Sequence, residues 1–464
     1  MGTQTKGGAR AGALAVLQRI EEGGYANLAL DSYLEGPGRQ LSRQDKGLLT
    51  ELVQGVVKYR LTLDWIIDQL VQKNQKLKQG PRILLRLGLY QLSYMGGIPA
   101  RAATFETVQL AKINYHSGVA SLVNGVLRSW LRQKDQFKWP DEAKDPAGYL
   151  SVYYSHPRWM VERWLQRYGL ENTRSLCLYN NSSPRLWLRT NTLRTTAAEL
   201  KETLIAEGCQ VEEGSFAPEA LALLEGPGLR NLDSFQKGLF TVQDESSMLT
   251  AHGLSPEPGQ RVLDTCAAPG GKTTHLAQLM GDRGSITAWD IHPHRVDLIK
   301  ENQRRLGISC IEATVFDASA DLAEQKQSLG LFQRILVDAP CSGLGVLRRR
   351  ADSRWNKSPE DIRQLTVLQK RILTNALSLL APGGRLLYST CTVEPEENRL
   401  LVEEVLAVHP QYKKGSLVLP VVKEANRQFL PEPAKDWDMQ FLPFLHGLEG
   451  FYMAVIEKEA GAGE

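Results

Sequence analysis

Two cysteines of this sequence lie in turns where a reactive thiol could be displayed. Cys341 occurs in DAPCSGLGV and Cys391 in STCT, and each turn follows a short apolar segment with the pattern of a strand. A thiolate is a strong nucleophile, although most cysteines are small buried hydrophobes. We assign the buried role to Cys177, Cys209 and Cys310. We treat Cys341 and Cys391 as candidate nucleophiles.

A glycine-containing turn indicates a second place for chemistry. RVLDTCAAPGGKTTHLA has a strand, small residues and the start of a helix, so Gly270 and Gly271 would let the backbone approach a ligand closely. A P-loop would need glycine six residues before Lys272, where this chain has Cys266, and no GxGxxG occurs there. These spacings disfavour a nucleoside-triphosphate site and a dinucleotide site.

Acidic residues end three successive predicted strands. Asp290, which comes 20 residues after the glycine turn, has the position at which Rossmann-like folds place an acid on ribose hydroxyls. A single strand-terminal aspartate usually caps a turn, but together with Asp317 and Asp338 it favours a ligand site. His292 and His294 are expected to begin a helix, since no acidic partner accompanies them at metal-ligand spacing. The pattern therefore predicts a ribose-containing ligand and no metal.

The elements that must position these residues follow Gly238. Short apolar strands (RVLDTCA, GSITAWD, EATVFDA, RILVDAP and GRLLYSTC) alternate there with helical stretches of a dozen residues or more. This alternation is typical of βαβ units in a parallel, doubly wound sheet. Ligands bind such sheets at the carboxyl ends of the strands, so the cysteines and the acids are expected at one edge.

The front of the chain has a different pattern. From Ala11 to about Leu131, apolar residues recur at spacings of three and four, which predicts an all-helical domain. Asp45 and Thr104 stand where helix N-caps are expected. The stretch KWPDEAKDPAG, with two prolines and mixed charge, is predicted to be a linker. The first domain boundary is therefore placed near residue 140.

A small module is expected between the helical front and the sheet. Residues 156–182 read as helix, first PRWMVERWLQRYG and then ENTRSLCLYNN. Strand-like RLWLRTNTL, CQVEEG and LALLEG surround the helical TAAELKETLIAEG, which predicts an α+β module at 183–235. We therefore divide the chain into residues 1–140, 141–235 and 236–460.

Charge separates the front of the chain from the remainder. Residues 1–140 contain 19 Lys and Arg against 10 Asp and Glu, a net charge of +9, and the remaining 324 residues carry −6. A basic front is typical of a protein that meets a polyanion, either nucleic acid or an anionic membrane, although a solvated helical surface gives the same count.

Membrane association is the weaker of the two polyanion interpretations. No apolar stretch reaches the roughly 18 residues of a spanning helix, since even ILLRLGLYQL contains Arg86. The first apolar run passes into Gln18, Arg19 and Glu21 without a cleavage-like site, so no signal peptide is expected. Six cysteines without a CxxC pair predict a reducing, cytoplasmic compartment.

Several motifs in order carry a resemblance to a known family. DTCAAPGGKTTH, AWDIHPHR, DAPCSGLGVLRRRAD, YSTCTVEPEEN and GLEGFYMAVIEK, over about residues 183–457, resemble the Nop2/Sun family of RNA cytosine-5 methyltransferases. The helical front resembles the antitermination factor NusB, a pairing typical of the bacterial (Sun or Fmu) subgroup acting on 16S ribosomal RNA. The sequence departs from the family pattern at Ala351, where relatives often have proline.

The resemblance implies a fold of three parts and an activity. The parts are an all-α NusB-like domain, a small α+β (RRM-like) module and an α/β Rossmann-like methyltransferase domain that uses S-adenosylmethionine. Cys391 would attack carbon 6 of cytosine, Cys341 would assist release, and Asp338 would hydrogen-bond N3 and the amino group of the base.

The resemblance also assigns the cofactor site. The residues expected to bind the cofactor are Cys266, Ala267, Ala268, Pro269, Gly270, Gly271, Lys272, Asp290, Arg295, Asp317 and Asp338. A free cysteine needs cationic neighbours or a helix end to populate its thiolate. Three cations are candidates for that influence: Lys272, Arg348 and Arg349.

The expected partner is RNA, either free or in a partly assembled small subunit, and the enzyme is expected to be a monomer. The target base must leave its stack, which favours unstructured RNA, and the basic front would hold flanking phosphates. Two alternatives stay open: a transfer-RNA cytosine-5 methyltransferase and a non-enzymatic RNA-binding assembly factor. A DNA enzyme is disfavoured because DAPCSGLGV lacks the acidic motif expected after its thiol.

Overall fold

The computed structural model describes residues 8–71, 77–322, 326–420, 422–432 and 435–460. The chain forms two compact units. The helical unit contains residues 1–182 and 347–356. The second unit contains residues 183–346 and 357–464, and we call it the catalytic unit because the candidate thiols and strand-end acids of the sequence analysis lie in it. Within the described residues, no helix combines the length and the apolar character needed to cross a membrane.

The helical unit is built from nine helices in the described ranges, and the first seven lie where the apolar spacing predicts an all-helical domain. They are α1 Ala9–Glu21, α2 Ala26–Glu35, α3 Arg43–Lys58, α4 Arg60–Leu70, α5 Gln79–Tyr94, α6 Ala100–Asn114, α7 Ser117–Gln133, α8 Pro146–Tyr154 and α9 Arg158–Asn181. The apolar faces of α1, α3, α5 and α7 share one core. Arg86 of α5 is buried there because Glu21 and Asp64 each accept a 2.7 Å hydrogen bond from its guanidinium.

Two expected helix caps are wrong. The side chain of Ser42 caps α3 by accepting the backbone N–H of Asp45, so Asp45 is the third residue of the helix and not its cap. Thr104 lies inside α6, which follows Pro99. A serine and an aspartate three residues apart both suit a helix start, but only the first of them can be the N-cap.

The stretch predicted to be a linker contains the start of a helix. Asp145 caps α8, whose first residue is Pro146, a residue suited to the first helical position. In α9 the backbone of Gly169 leaves the helical region at φ 75°, which matches the predicted break between the two helical segments. Compact packing divides the chain at residue 182, whereas the sequence places its first boundary near residue 140.

A short segment from the second half of the sequence belongs to the helical unit. Residues 347–356 include the 3₁₀ turn Ala351–Arg354, in which Ala351 is buried. The buried Arg354 donates to the backbone oxygen of Ser155 at 2.9 Å, and the indole of Trp355 donates to the oxygen of Val57 at 2.7 Å. Hydrogen bonds to residues far away in the sequence therefore determine which unit this segment packs in, and its own sequence pattern does not indicate that unit.

The catalytic unit opens with a small α+β module. Its elements are β1 Leu186–Thr190, α10 Ala197–Ala206, β2 Gln210–Glu213, β3 Ala220–Glu225, α11 Asp233–Gln236 and β4 Phe240–Val242. The strands form one antiparallel sheet in the order β2-β3-β1-β4. Because β4 lies beyond residue 235, the sheet extends past the end of the segment that the sequence predicts.

The main sheet contains the five strands that the sequence predicts and three more. In chain order its elements are α12 Glu245–Leu254, β5 Arg261–Asp264, α13 Gly271–Leu279, β6 Ser285–Asp290, α14 Pro293–Leu306, β7 Ile311–Val315, α15 Lys326–Leu329, β8 Phe332–Asp338, α16 Pro359–Ser378, β9 Leu380–Thr390, α17 Arg399–Ala407, β10 Tyr412–Lys414, β11 Asp438–Phe441, α18 Pro443–His446 and β12 Phe451–Lys458. The strand order is β10-β12-β9-β8-β5-β6-β7, and β11 pairs with β12.

The sheet is mixed rather than wholly parallel. Strands β5 to β9 pair in parallel, whereas β12 pairs antiparallel with β9, β10 and β11. After β5, the chain forms β6 and β7 on one side of that strand, and it then returns to form β8 on the other side of β5. The carboxyl ends of β5 and β8 therefore flank a topological switch point, where open α/β sheets bind ligands.

Candidate active site

The loop between β5 and α13 is fixed from both sides. The N–H of Ala267 donates to the oxygen of Trp289 on β6 at 2.7 Å, and the N–H of Gly270 donates back to the oxygen of Ala267 at 2.7 Å. Gly270 has φ 98°, a conformation that glycine adopts without strain. The peptide before Pro269 is cis. The loop residues Cys266 to Lys272 thus form a defined turn at the switch point.

A buried acid below this loop was missed by the sequence analysis. Asp264 ends β5 and accepts a 2.7 Å hydrogen bond from the hydroxyl of Thr273 on α13. Burial raises the pKa of Asp264 to about 7, although the Thr273 bond opposes the rise. Burial also raises the pKa of the Cys266 thiol. Cys266 is therefore a neutral lining residue of the turn.

The strand-end acids have different surroundings. Asp290, at the end of β6, is buried; its Oδ1 accepts the backbone N–H of His292 at 3.0 Å, and its Oδ2 lies 3.8 Å from the guanidinium of Arg295. Asp317 follows β7, is exposed, and accepts the backbone N–H and the hydroxyl of Ser319 through one oxygen. Asp317 therefore caps the following turn, and Asp290 has the more enclosed carboxylate.

Asp338 and Lys272 form an ion pair at the ends of β8 and α13. The Lys272 Nζ lies 2.7 Å from Asp338 Oδ2, and the hydroxyl of Ser389 donates to Asp338 Oδ1 at 2.9 Å. Burial lowers the pKa of Lys272, but Asp338 and then Cys391 outweigh that effect and leave the pKa raised. The site therefore holds a cation beside one of the candidate thiols.

The two candidate thiols lie together, as the sheet topology predicts. Their Sγ atoms are 3.3 Å apart, which is within hydrogen-bonding range for sulfur. Cys341 follows β8 and Cys391 follows β9, and these strands are parallel neighbours. The contact with Cys391 and burial both raise the pKa of the Cys341 thiol. Cys341 is therefore the member of the pair that keeps its proton.

A buried carboxylate ties the two cysteine turns together. Glu397 accepts the N–H of Ser342 at 2.8 Å and the hydroxyl of the same residue at 2.5 Å, and the amide of Gln369 lies 3.1 Å away. The hydroxyls of Ser342 and Thr392 are 2.9 Å apart. Burial raises the pKa of Glu397, and the Ser342 bonds oppose that rise. These hydrogen bonds fix the turn after β8 relative to the turn after β9.

Gly345 allows three backbone segments to pack closely beside the thiols. The N–H of Gly345 donates to the oxygen of Cys391 at 3.0 Å, and the N–H of Gly450 donates to the oxygen of Gly345 at 2.9 Å. A Cβ on Gly345 would lie 1.9 Å from the Gly450 oxygen. No larger residue fits there unless the backbone moves.

Several predicted residues lie elsewhere. His292 caps α14, which begins at Pro293 as expected. Arg348 and Arg349 belong to the helical unit, where the guanidinium of Arg348 lies 4.1 Å from the ring centroid of Tyr179. Of the three candidate cations, Lys272 is the one in the catalytic unit.

Two of the three cysteines assigned a buried role are buried as expected, and the third is only half-buried. Cys177 and Cys209 are buried, and Cys310 is half-buried against the core of the catalytic unit.

A second polar cluster was not predicted. The Nε2 atoms of His275 and His252 lie 2.8 and 3.1 Å from the carboxylate of Glu219. One ring nitrogen of each histidine and one carboxylate oxygen of Glu219 lie within 4.8 Å of one another. The buried Arg189 of β1 donates to the hydroxyl of Thr274 at 2.9 Å and also to the Gly271 oxygen. The α+β module thus holds the first turn of α13. No local sequence signal marks Arg189 or Glu219.

Three family matches cover most of the chain. The NusB family matches residues 8–132, a RsmF/B-like ferredoxin-like domain matches residues 156–228, and the family described as 16S rRNA methyltransferase RsmB/F matches residues 251–457.

Curated proteins and one solved structure described here match over nearly the full length. The chain is 40% identical to the probable ribosomal RNA small subunit methyltransferase B of Bacillus subtilis, over 96% of this chain and 98% of that protein. It is 34% identical to the ribosomal RNA small subunit methyltransferase B of Proteus mirabilis, over 96% and 97%. The solved structure of PH0851 superposes with a TM-score of 0.78 at 26% identity, over 98% and 99%.

These matches define a Rossmann-like methyltransferase with a NusB domain and a ferredoxin-like module, as the sequence predicts. The chain belongs to the 16S rRNA methyltransferase RsmB/F family.

Proposed function

We propose that this protein transfers a methyl group from S-adenosylmethionine to carbon 5 of a cytosine in 16S ribosomal RNA, through a covalent adduct with Cys391. The observation that carries the proposal is the pair of thiols 3.3 Å apart at the ends of two parallel strands. A covalent route needs one group to attack the ring and a second to help release it. Two adjacent thiols beside an ion pair supply both groups.

The turn and strand ends at the switch point fit the proposed cofactor. Asp290 is buried and has an oxygen, Oδ2, 3.8 Å from Arg295, which suits it to accept hydrogen bonds from ribose hydroxyls. At Gly271 a Cβ would meet no described atom closer than 4.0 Å, so the backbone there leaves open space. We propose that the turn of residues 266–272, with Asp290, Arg295, Asp317 and Asp338, holds the cofactor. When bound, S-adenosylmethionine would supply an electrophilic methyl group for carbon 5 and would leave as S-adenosylhomocysteine.

The chain's own residues activate the base. Carbon 5 of cytosine is a poor nucleophile, so the Cys391 thiolate first adds to carbon 6, and the electron pair of the ring double bond moves toward carbon 5. Asp338 accepts a hydrogen bond from the amino group, and a proton held between its carboxylate and N3 offsets the negative charge that develops on the ring. After methylation, loss of the carbon 5 proton re-forms the double bond, the carbon–sulfur bond breaks, and the electron pair returns to the thiolate.

The electrostatics support a division of labour between the thiols. Lys272 favours the charged form of Cys391, whereas the pKa of Cys341 is raised by Cys391 and by burial. Once the sulfur of Cys391 is bonded to carbon 6, it no longer raises the pKa of Cys341. Cys341 can then lose its own proton to water, and the resulting thiolate accepts the carbon 5 proton, after which the bond between carbon 6 and sulfur breaks and frees the product.

A transfer-RNA substrate has less support than ribosomal RNA. The catalytic motifs do not distinguish the two, but the two curated relatives described above carry the name of small-subunit ribosomal RNA enzymes. Bisulfite sequencing of ribosomal and transfer RNA from cells with and without the gene reads the product directly. Loss of a 5-methylcytosine from transfer RNA alone would overturn the proposed substrate.

A denaturing gel tests the mechanism. With 16S RNA and S-adenosylmethionine, Cys391→Ala should abolish both methylation and the covalent complex, whereas Cys341→Ala should accumulate a protein–RNA adduct. Cys310→Ala is the matched control and should methylate without accumulating an adduct. A stable adduct in Cys391→Ala, with none in Cys341→Ala, would reverse the two roles. Methylation by Cys391→Ala at the rate of the unchanged protein would remove the covalent mechanism.

A further inference from the structure

A cavity of about 570 Å³ opens within the helical unit, away from the catalytic residues in sequence. Six aromatic side chains line it: Tyr59, Tyr94, Trp130, Trp139, Tyr153 and Tyr154. Its volume is within the range of small-ligand sites. We name it the aromatic pocket.

The rings of the aromatic pocket form two groups of contacting side chains, and one tyrosine of each group stays partly open to solvent. Tyr59 and Tyr94 stack with their centroids 3.9 Å apart, and Trp139 meets Tyr153 edge-on at 5.2 Å. Tyr94 is 37% exposed and Tyr153 39% exposed, which is unusual for side chains of this size inside a helical unit. Exposed aromatic faces in a concave site are suited to stacking against a planar ligand.

The pocket also presents polar groups. The indole Nε1 of Trp130 is buried and has no hydrogen-bond partner among the described residues, although Trp130 itself is 5% exposed. A buried polar group without a partner is costly, but an acceptor could reach this nitrogen only if the ring moved, so the polar contacts of a ligand are expected from the exposed groups of the lining. Lys134 and Asp135 are exposed on the lining and could serve a ligand as donor and acceptor.

Charge around the pocket favours an anionic ligand. Arg128, Arg132, Lys134 and Lys138 are all exposed within eleven residues of one another, and Asp135 is the one acid in that stretch. The whole helical unit has 28 Lys and Arg against 16 Asp and Glu, a net charge of +12. A proline-rich peptide would suit aromatic faces but would not need this charge.

From these observations we infer that the aromatic pocket binds an unstacked nucleobase of single-stranded RNA, while the neighbouring cations hold its phosphates. Single-strand-binding proteins combine the same two features, a basic track and aromatic stacking platforms. The inference deepens the proposed function, because it rests on RNA being the substrate. It assigns to the helical unit a contact with bases in addition to the charge attraction that its composition predicts.

Binding of two fluorescein-labelled probes to the full-length protein tests the inference. One probe is a mixed-sequence, single-stranded RNA 12-mer, and the other has the same sugar-phosphate backbone without bases. Since one stacked base is worth about 1–3 kcal/mol, Tyr153→Ala should weaken binding of the base-bearing probe by roughly fivefold to hundredfold. Binding of the abasic probe should not change.

Matched variants separate stacking from folding. Tyr153→Phe keeps the ring and should retain affinity, and Tyr25→Ala removes a tyrosine that is 64% exposed outside the pocket and should have no effect. Tyr94→Ala gives a second test on another wall, and the thermal unfolding midpoint shows whether each variant is folded.

Three outcomes would overturn the inference. They are unchanged affinity of both folded alanine variants for the base-bearing probe, an equal loss for both probes, and tighter Tyr153-dependent binding of a proline-rich decapeptide. The last outcome would assign the pocket to a protein ligand. The adduct gel with the cysteine variants depends on none of these results, so the failure of the pocket and the failure of the chemistry can be distinguished.

Discussion

The two units of this chain carry opposite charge. The helical unit has a net charge of +12, whereas the catalytic unit has 27 Lys and Arg against 36 Asp and Glu, a net charge of −9. An acidic surface repels a polyanion at long range, so the attraction for RNA has to come from the helical unit. The catalytic unit is therefore expected to depend on its partner domain for substrate capture.

The units also differ in how far their candidate functional side chains are buried. In the catalytic unit the functional groups are enclosed and held by neighbours, as Asp338 is by Lys272 and Ser389. In the helical unit the cations of the basic stretch at residues 128–138 and two rings of the aromatic pocket, Tyr94 and Tyr153, are exposed. Chemistry requires fixed geometry in a preorganised site, whereas capture of a flexible strand tolerates mobile side chains.

The largest expected effect tests how strongly the catalytic unit depends on buried polar pairs. Burial and Arg189 lower the pKa of His275 to about 4. Between pH 6.5 and 4 the unfolded chain therefore binds a proton that the folded chain does not, so folding stability falls as the pH falls. The loss from His275 is on the order of 3 kcal/mol at pH 4.

Glu219 acts in the same direction at lower pH. Burial would raise its pKa, but the hydrogen bonds from His252 and His275 outweigh burial and leave the pKa lowered. Its contribution to stability is present above the ordinary pKa of glutamate and is lost as the pH falls below that value.

Urea unfolding followed from pH 7 to pH 4 measures the effect. His275→Gln can still donate to Glu219 but cannot be protonated, so its stability should change less with pH than that of the unchanged protein. The exposed His294→Gln is the control. Because burial also lowers the pKa of His156 in the helical unit, the informative quantity is the difference between variants. Identical pH profiles for His275→Gln and the unchanged protein would contradict the prediction.

The next effect concerns the cofactor site of the catalytic unit. Asp290→Ala should raise the dissociation constant for S-adenosylmethionine roughly tenfold to hundredfold, since hydrogen bonds to a charged acceptor are worth about 1.5–3 kcal/mol. Isothermal titration calorimetry measures it directly. Asp297→Ala, an exposed aspartate on α14, is the matched control and should bind normally. An unchanged constant in Asp290→Ala would mean that Asp290 only caps the turn at His292.

Patterns that depend on neighbours in sequence or on a general rule of topology were predictable. The break at Gly169 follows from a glycine between two helical segments, and the structure has a left-handed residue there. The meeting of Cys341 and Cys391 follows from placing both after strands of one doubly wound sheet. The strand-end position of Asp290 follows from its spacing to the glycine turn.

Features that depend on distant partners were not predictable. Arg189 is buried because it reaches α13, more than eighty residues further along the chain. The segment at 347–356 packs in the helical unit because Arg354 and Trp355 find backbone acceptors there. The antiparallel strand β12, which lies between β9 and β10, has no local signature that distinguishes its direction. In each case the deciding contact lies outside any sequence window.

The smallest expected effect sharpens the charge comparison. For single strands, each phosphate contact contributes about 0.7 to the slope of log affinity against log salt. Replacing Arg132 and Lys138 by glutamine should therefore reduce that slope by about 1.4 for the base-bearing 12-mer, because both side chains are exposed on the basic stretch beside the aromatic pocket. Lys300→Gln with Arg304→Gln removes two exposed cations from α14 of the acidic unit and should leave the slope unchanged. Anisotropy titrations from low to moderate salt give all three slopes. An equal decrease in both double variants would mean that phosphates contact the two units alike, and the functional contrast between the basic and acidic units would not hold for RNA binding.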